Sequence, residues 1–345
     1  MIEGLIVGLL LGFIIRRGFF CMYNGFANMV ISRDYRVIKA AIWAFLATML
    51  GFHVLSSLGV IALNPKPFFW AASIIGAVLF SVGMVLSGSC IVGTPLRAAS
   101  GKIGYWLTLL GMAIGGWSVI WGPLTSYRVF LQESTKVMLN GKSPTLDALL
   151  GVNHWVVVMV LSALSVYLLI RLKSKKEVHA VEDQQASAQG TSIFSKIFKT
   201  LWAPAVVGVS LGALEMIAFL TGKSPAGLGG FIKGYASYFK ALFTGSLPFD
   251  WPVAEITGIL LGVFVSAVIA GEFRIVWPKA KRIPALFVGG LLMGVGAVTA
   301  AGGCNVAHII SHMPQLSIGS FVSGFTIIFS TTLLVYLIFV RRKSS

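Results

Sequence analysis

The chain has 345 residues, 57% of them hydrophobic and only 11% charged, with a mean hydropathy of +0.88; a water-soluble domain carries about 25% charged residues. These values exclude the soluble globular classes and make a lipid bilayer the solvent. The formal net charge of +16 does not indicate a nucleic-acid partner, because the basic residues fall between apolar runs and not along one helix face or in an aromatic-interleaved patch.

Nine apolar stretches follow in chain order, near residues 2–20, 38–62, 70–88, 103–122, 152–171, 200–220, 252–271, 284–301 and 317–340. Each approaches the ~20 residues that a helix needs to cross the hydrocarbon core, so the expected fold class is an all-α integral membrane protein. The first stretch invites a cleaved-leader reading. It begins with Glu3 in place of lysines, however, and has Phe19 and Phe20 before Cys21, where cleavage needs small residues. It is kept as span 1. Residues 172–198 form the one long polar run and have the composition of a flexible linker. They divide the chain into an N-terminal half, 1–171 with spans 1 to 5, and a C-terminal half, 199–345 with spans 6 to 9.

With the N-terminus outside, 16 Lys and Arg residues fall in inner connections or the tail and 7 in outer loops. The outer ones include Lys66, Lys142, Lys233 and Lys240. Positive loops stay on the cytoplasmic side, which predicts N-terminus out, C-terminus in and the 172–198 linker cytoplasmic.

The halves resemble each other. IIGAVLFSVGMVLSGSC (74–90) aligns without gaps to VGGLLMGVGAVTAAGGC (288–304), matching Gly76 with Gly290, Gly88 with Gly302 and Cys90 with Cys304. Further upstream, the Gly8/Gly12 spacing recurs as Gly208/Gly212. Spans 3 and 8 run in opposite directions, so the halves would be pseudo-symmetric and inverted, with re-entrant or broken-helix segments meeting near the midplane, a common transporter plan. The other G-x-x-x-G spacings read as plain helix packing.

Three cysteines make up the whole inventory, in RRGFFC (16–21), GSCIVGTPLRAASGK (88–102) and GGCNVAHIISH (302–312). Each stands at the end of an apolar run. Core packing is the bland reading of a lone buried cysteine, a disulfide would leave one over, and no C-x-x-C pair is present. Cys304, His308 and His312 fall at i, i+4, i+8 and would suit a soft metal. Pro314 crowds the last turn and no acidic residue stands nearby, so neither metal nor cofactor is expected. His308 is better read as hydrogen-bonding across the bundle.

Backbone that leaves the helix at membrane depth must line a cavity or be buried in protein. Arg97 and Lys102 follow Cys90, Arg16 and Arg17 precede Cys21, and Asn24, Asn305 and His308 add polar groups around the cysteines. Arg16 and Arg17 can also be read as interfacial side chains that snorkel to the headgroups. Cations without matching carboxylates repel cations, and thiols offer a soft S–H donor, so a soft sulfur-bearing anion fits the route.

These three motifs, in this order and across nearly the whole chain, resemble the YeeE/YedE family of membrane proteins. The resemblance implies a nine-helix, pseudo-symmetric, hourglass-like bundle in the bacterial cytoplasmic (inner) membrane. It also implies thiosulfate import along a path on which Cys21, Cys90 and Cys304 relay the anion, with Arg97, Lys102, Asn24, Asn305 and His308 beside them. On this reading the protein is not an enzyme, its partners are thiosulfate and lipid, and a cytoplasmic sulfur-carrier protein is a candidate. One departure is Ala307, where the family pattern, and Gly93 in the first unit, suggest glycine.

Neutral S–H groups would donate weak hydrogen bonds to the terminal sulfur, and weak sites release what they bind. Two negative charges entering an inside-negative cell cost about 2.3 kcal/mol each per 100 mV, or roughly 5 kcal/mol together. Proton coupling and rapid cytoplasmic consumption both remain open as the offset. Rival readings are transport of another sulfur or selenium compound, a membrane sulfurtransferase that uses Cys21 near Arg16 and Arg17 as a persulfide-forming nucleophile, and a non-transporting assembly subunit.

Overall fold

A computed structural model describes residues 2–139, 141–172, 197–221, 230–301 and 303–341. Most of the linker, with Lys173, Lys175, Lys176 and Lys196, lies outside these, as do Gly302 and the end of the tail. The N-terminal half forms α1 (Ile2–Gly18), α2 (Met22–Ile31), α3 (Arg36–Ser57), α4 (Trp70–Ser87), α5 (Gly93–Ala98) and α6 (Gly104–Ile120). Then come α7 (Thr125–Ser134), α8 (Leu146–Leu150) and α9 (His154–Arg171). The C-terminal half forms α10 (Pro204–Leu220), α11 (Phe231–Thr244), α12 (Trp251–Ile269), α13 (Ile283–Thr299), a π-helical segment (Ala307–His312) and α14 (Ile318–Val335). A two-residue strand pair joins Phe68–Phe69 to Lys136–Val137 in antiparallel register.

Seven helical spans are long and apolar enough to cross a bilayer, and an eighth is completed if α6 and α7, bent by 64° at their junction, count as one. The apolar α10 is shorter, at 17 residues. Each of the nine predicted stretches therefore coincides with a helix. Local chemistry sets their ends. Pro204 and Pro252 occupy first-turn positions where no amide is missed. The Asn153 side chain caps α9 by accepting from the Trp155 amide at 2.9 Å.

One element differs from the sequence reading. Residues 231–244, read as outer connection with Lys233 and Lys240 in it, form α11. Phe231, Ile232, Tyr235 and Ala236 are buried on one face, while Lys233 pairs with Asp250 at 3.2 Å and Lys240 lies over the Trp121 ring. Its polar face keeps the stretch below the hydropathy of a full span.

Packing between the halves is reciprocal. α1 packs on α12 and, correspondingly, α10 on α3; α4 and α13 pair with each other; α13 also packs on α6 as α14 does on α4; and α11 contacts α6 as α2 contacts α14. Small residues permit the closest of these approaches: a β-carbon on Gly8 would run into the Glu255 carbonyl, and one on Gly258 into that of Leu5. The six helical segments α1 to α6, long, short, long, long, short, long, thus have their counterparts in the C-terminal half.

Candidate substrate path

Each cysteine sits where a helix stops, turns through a left-handed residue and restarts. Phe19 (φ 47°) precedes Cys21, Gly88 (φ 68°) precedes Cys90 and Ala301 (φ 59°) precedes Cys304. The restarts are alike. The Cys21, Cys90 and Cys304 carbonyls accept from the amides of Gly25, Thr94 and His308 at 3.0, 2.9 and 2.8 Å. The Cys90 and Cys304 sulfurs accept from the amides of Gly93 at 3.3 Å and Ala307 at 3.4 Å. The Cys90 and Cys304 thiols thus act much as N-cap side chains do, and all three thiols are free and buried.

Two of them meet. The sulfurs of Cys21 and Cys90 lie 3.5 Å apart although 69 residues separate them in sequence. Gly93 makes this possible, because a β-carbon there would collide with the Cys21 sulfur. Ala307, its counterpart, faces no second cysteine, so the family departure at this position meets no obstruction. Arg97 stands beside the pair. Its guanidinium donates to the Gly88 carbonyl, to Asn24 Oδ1 at 2.8 Å and to the Tyr105 hydroxyl at 3.2 Å, while its charge lies within electrostatic reach of both thiols. Arg97, Asn24, Cys21 and Cys90 form one station.

Cys304 forms a second. Asn305 is fully buried, with its amide near the Met84 sulfur at 3.7 Å. Both ring nitrogens of His308 are engaged: Nε2 donates to the Ala300 carbonyl at 3.1 Å, which leaves Nδ1 to accept from the Ser320 hydroxyl at 3.2 Å. His308 therefore ties the break to α14. The π-helical winding of Ala307–His312 also removes the i, i+4, i+8 face on which a metal reading rested.

Between the stations lies a small cavity whose lining is entirely apolar: Leu11, Ile15, Phe20, Val92, Leu211, Phe231, Val306 and Ile310. Val92 and Val306 each stand two residues past a cysteine, so apolar side chains fill the space between the helix breaks.

Other sequence-predicted residues lie elsewhere. Lys102 is exposed and its backbone bridges to Val276, beyond the end of α12. Arg16 and Arg17 do not face Cys21; both pair with Glu272, at 2.8 and 2.6 Å, and Arg17 also donates to Ser266 Oγ at 3.0 Å. They fasten α1 to the end of α12.

Two buried glutamates went unread in the sequence, and Lys66 was read there only as an outer-loop cation. Lys66 lies within electrostatic reach of Cys304, His308 and His312, and its carbonyl accepts from Ser317 Oγ at 3.1 Å. Glu215 and Glu255 are fully buried. Each glutamate stands inside an apolar span, where an ionisable group is by default a functional signal, so both were detectable.

A helical membrane bundle whose two halves pack reciprocally and each break at a buried thiol has the plan of a membrane transporter. The chain matches the family described as sulphur transport over residues 17–333, and it belongs to that family. It is 32% identical to the thiosulfate transporter TsuA of Spirochaeta thermophila across 98% of this chain and 99% of that protein. The thiosulfate transporter TsuA of Escherichia coli is 28% identical across 89% of this chain and 86% of its own. A shorter match, 34% identical over 32% of this chain and 27% of the relative, is to the probable transporter YedE of Salmonella typhimurium. The protein is thus a multi-pass membrane transport protein and not an enzyme.

Proposed function

We propose that this protein imports thiosulfate across the bacterial cytoplasmic membrane along a path marked by Cys304, then Cys90 and Cys21, with the N-terminus outside and the C-terminus inside. The observation that carries the reading is the Cys21–Cys90 pair, its sulfurs 3.5 Å apart, beside the Arg97 guanidinium and next to the apolar cavity. Two adjacent thiols can hold the terminal sulfur of the anion by weak S–H donation while the cation balances its charge. Neither contact is strong enough to trap it. The names of the TsuA relatives support the substrate, and the 16 to 7 bias of cations supports the orientation.

The sulfurtransferase alternative is weakened because Arg16 and Arg17, which would activate Cys21, are held by Glu272 instead. The test is uptake of radiolabelled thiosulfate into vesicles that contain only the purified protein. Saturable uptake, competed by unlabelled thiosulfate and absent from protein-free vesicles, is expected. Vesicles no leakier to thiosulfate than the protein-free control would overturn the proposal.

A further inference from the structure

The membrane potential opposes entry of a divalent anion, and the path described so far contains nothing that meets this cost. Two buried carboxyl groups lie outside it. Glu215 on α10 and Glu255 on α12 are both fully buried and within electrostatic reach of one another. Among the described residues neither carboxylate oxygen of Glu255 has a hydrogen-bond partner.

Among the described residues the groups around Glu255 do not supply a counter-charge. From α10 comes Glu215, which repels it, and from α11 comes Tyr235. Lys233 of the same helix is taken by Asp250 at 3.2 Å. Along α1 the residues packed against this turn of α12 are Leu5, Gly8 and Leu9, while Glu3 stands near its start and Arg16 and Arg17 at its far end, paired with Glu272. Arg97 of α5 is spent on Gly88, Asn24 and Tyr105. A carboxyl group in such surroundings carries a proton, since an isolated buried charge costs far more than protonation does, and a second carboxyl alongside strengthens the preference.

The position matters as much as the charge. Cys304 and Tyr235 both lie within electrostatic reach of Glu255, so a charge on the carboxyl is felt at the second thiol station. An anion at Cys304 repels a carboxylate and tolerates a carboxylic acid, so anion and proton favour each other's binding, and the preference is reciprocal.

On these grounds, and resting on the thiosulfate reading above, we propose that Glu215 and Glu255 form a proton-binding site that couples anion passage at Cys304 to the proton gradient. The protein is then a proton–anion symporter. In each cycle the carboxyl O–H gives up its proton toward the cytoplasm after the anion has moved on to the Cys21–Cys90 station, and the carboxylate takes another from outside. No bond to sulfur changes and nothing is oxidised or reduced.

The experiment uses the full-length protein in vesicles, with the electrical potential clamped by valinomycin and equal potassium. An inside-alkaline gradient is expected to raise thiosulfate accumulation in the wild type by about tenfold per pH unit for each coupled proton. Glu255→Gln is expected to lose this response while still exchanging labelled for unlabelled thiosulfate. A Glu255→Gln protein that accumulates like wild type overturns the proposal and leaves the thiosulfate reading standing; wild-type vesicles without exchange remove both. Infrared spectroscopy gives a check independent of flux. The folded wild type should show at neutral pH the carbonyl stretch of a buried carboxylic acid, diminished in Glu255→Gln, and its absence from the wild type would overturn the assignment.

Discussion

The sulfur of Cys21 occupies the volume that a β-carbon on Gly93 would fill, and that carbon would also press on Ser89 Oγ at 3.0 Å. Gly93→Ala therefore forces apart the two thiols of the first station. Overpacking of this kind costs about 1–3 kcal/mol, which a bundle of this size survives. The variant should express and insert, melt a few degrees lower and lose most of its thiosulfate uptake. Ala307→Gly, the matched change in the other half, should leave uptake near wild type. Similar uptake by the two variants would show that the Cys21–Cys90 spacing is immaterial.

Cys304→Ala removes one buried sulfur and little volume, a loss of roughly 1 kcal/mol of packing, yet takes away the soft donor of the second station. Uptake should vanish with expression and melting close to normal. Cys304→Ser keeps a donor of similar size, but its harder hydroxyl suits water and sulfate-like oxygens better than a terminal sulfur, so it too should be impaired. Near wild-type flux in Cys304→Ala would mean that this thiol is only core packing.

Arg97 and Lys142 separate a site from a general field. Arg97 joins Gly88, Asn24 and Tyr105 at the thiol pair, whereas Lys142 is exposed in a loop. Arg97→Ala should depress uptake strongly, and Arg97→Lys only partly, because a single ammonium cannot reproduce the planar fork. Lys142→Ala should alter only the salt-sensitive encounter rate. Initial rates at two ionic strengths distinguish them, and equal losses would point to general destabilisation.

His308 offers the opposite profile. Its ring joins the Ala300 carbonyl to the Ser320 hydroxyl inside the protein, and removing it strands both partners at about 1–3 kcal/mol each. His308→Ala should lower the melting temperature more than any of the cysteine variants, while the protein that remains folded keeps its apparent affinity for thiosulfate. A large loss of affinity without a loss of stability would instead place His308 in contact with the anion.

The nine apolar stretches were legible as helices because long apolar runs are dictated by the solvent, and the cysteine breaks because glycine and serine interrupt those runs. The match of Cys90 with Cys304 was legible too, although the left-handed residue equivalent to Gly88 is Ala301, one position off the gapless alignment. What escaped was set by partners distant in the chain. Nothing local to Arg16 and Arg17 announces Glu272, some 255 residues away, and nothing near Cys21 announces Cys90. The π-helical winding after Val306 was equally invisible, since Ala-His-Ile-Ile-Ser-His reads as an ordinary helical stretch. α11 was missed for a different reason: its buried face alternates with lysines, so its average hydropathy conceals it. Glu215 and Glu255 were plain in the sequence and needed only to be asked about.

The exchange of helices between the halves bears on how such a chain comes to exist. Because α1 finds its complement on α12 and α10 finds its own on α3, each half without the other leaves a helix face uncovered. Its glycine-lined grooves are shaped for the ridges of the other, and lipid tails fill such grooves poorly. The polypeptide has the form of an antiparallel dimer whose two subunits have been tied end to end, each serving as the other's mould.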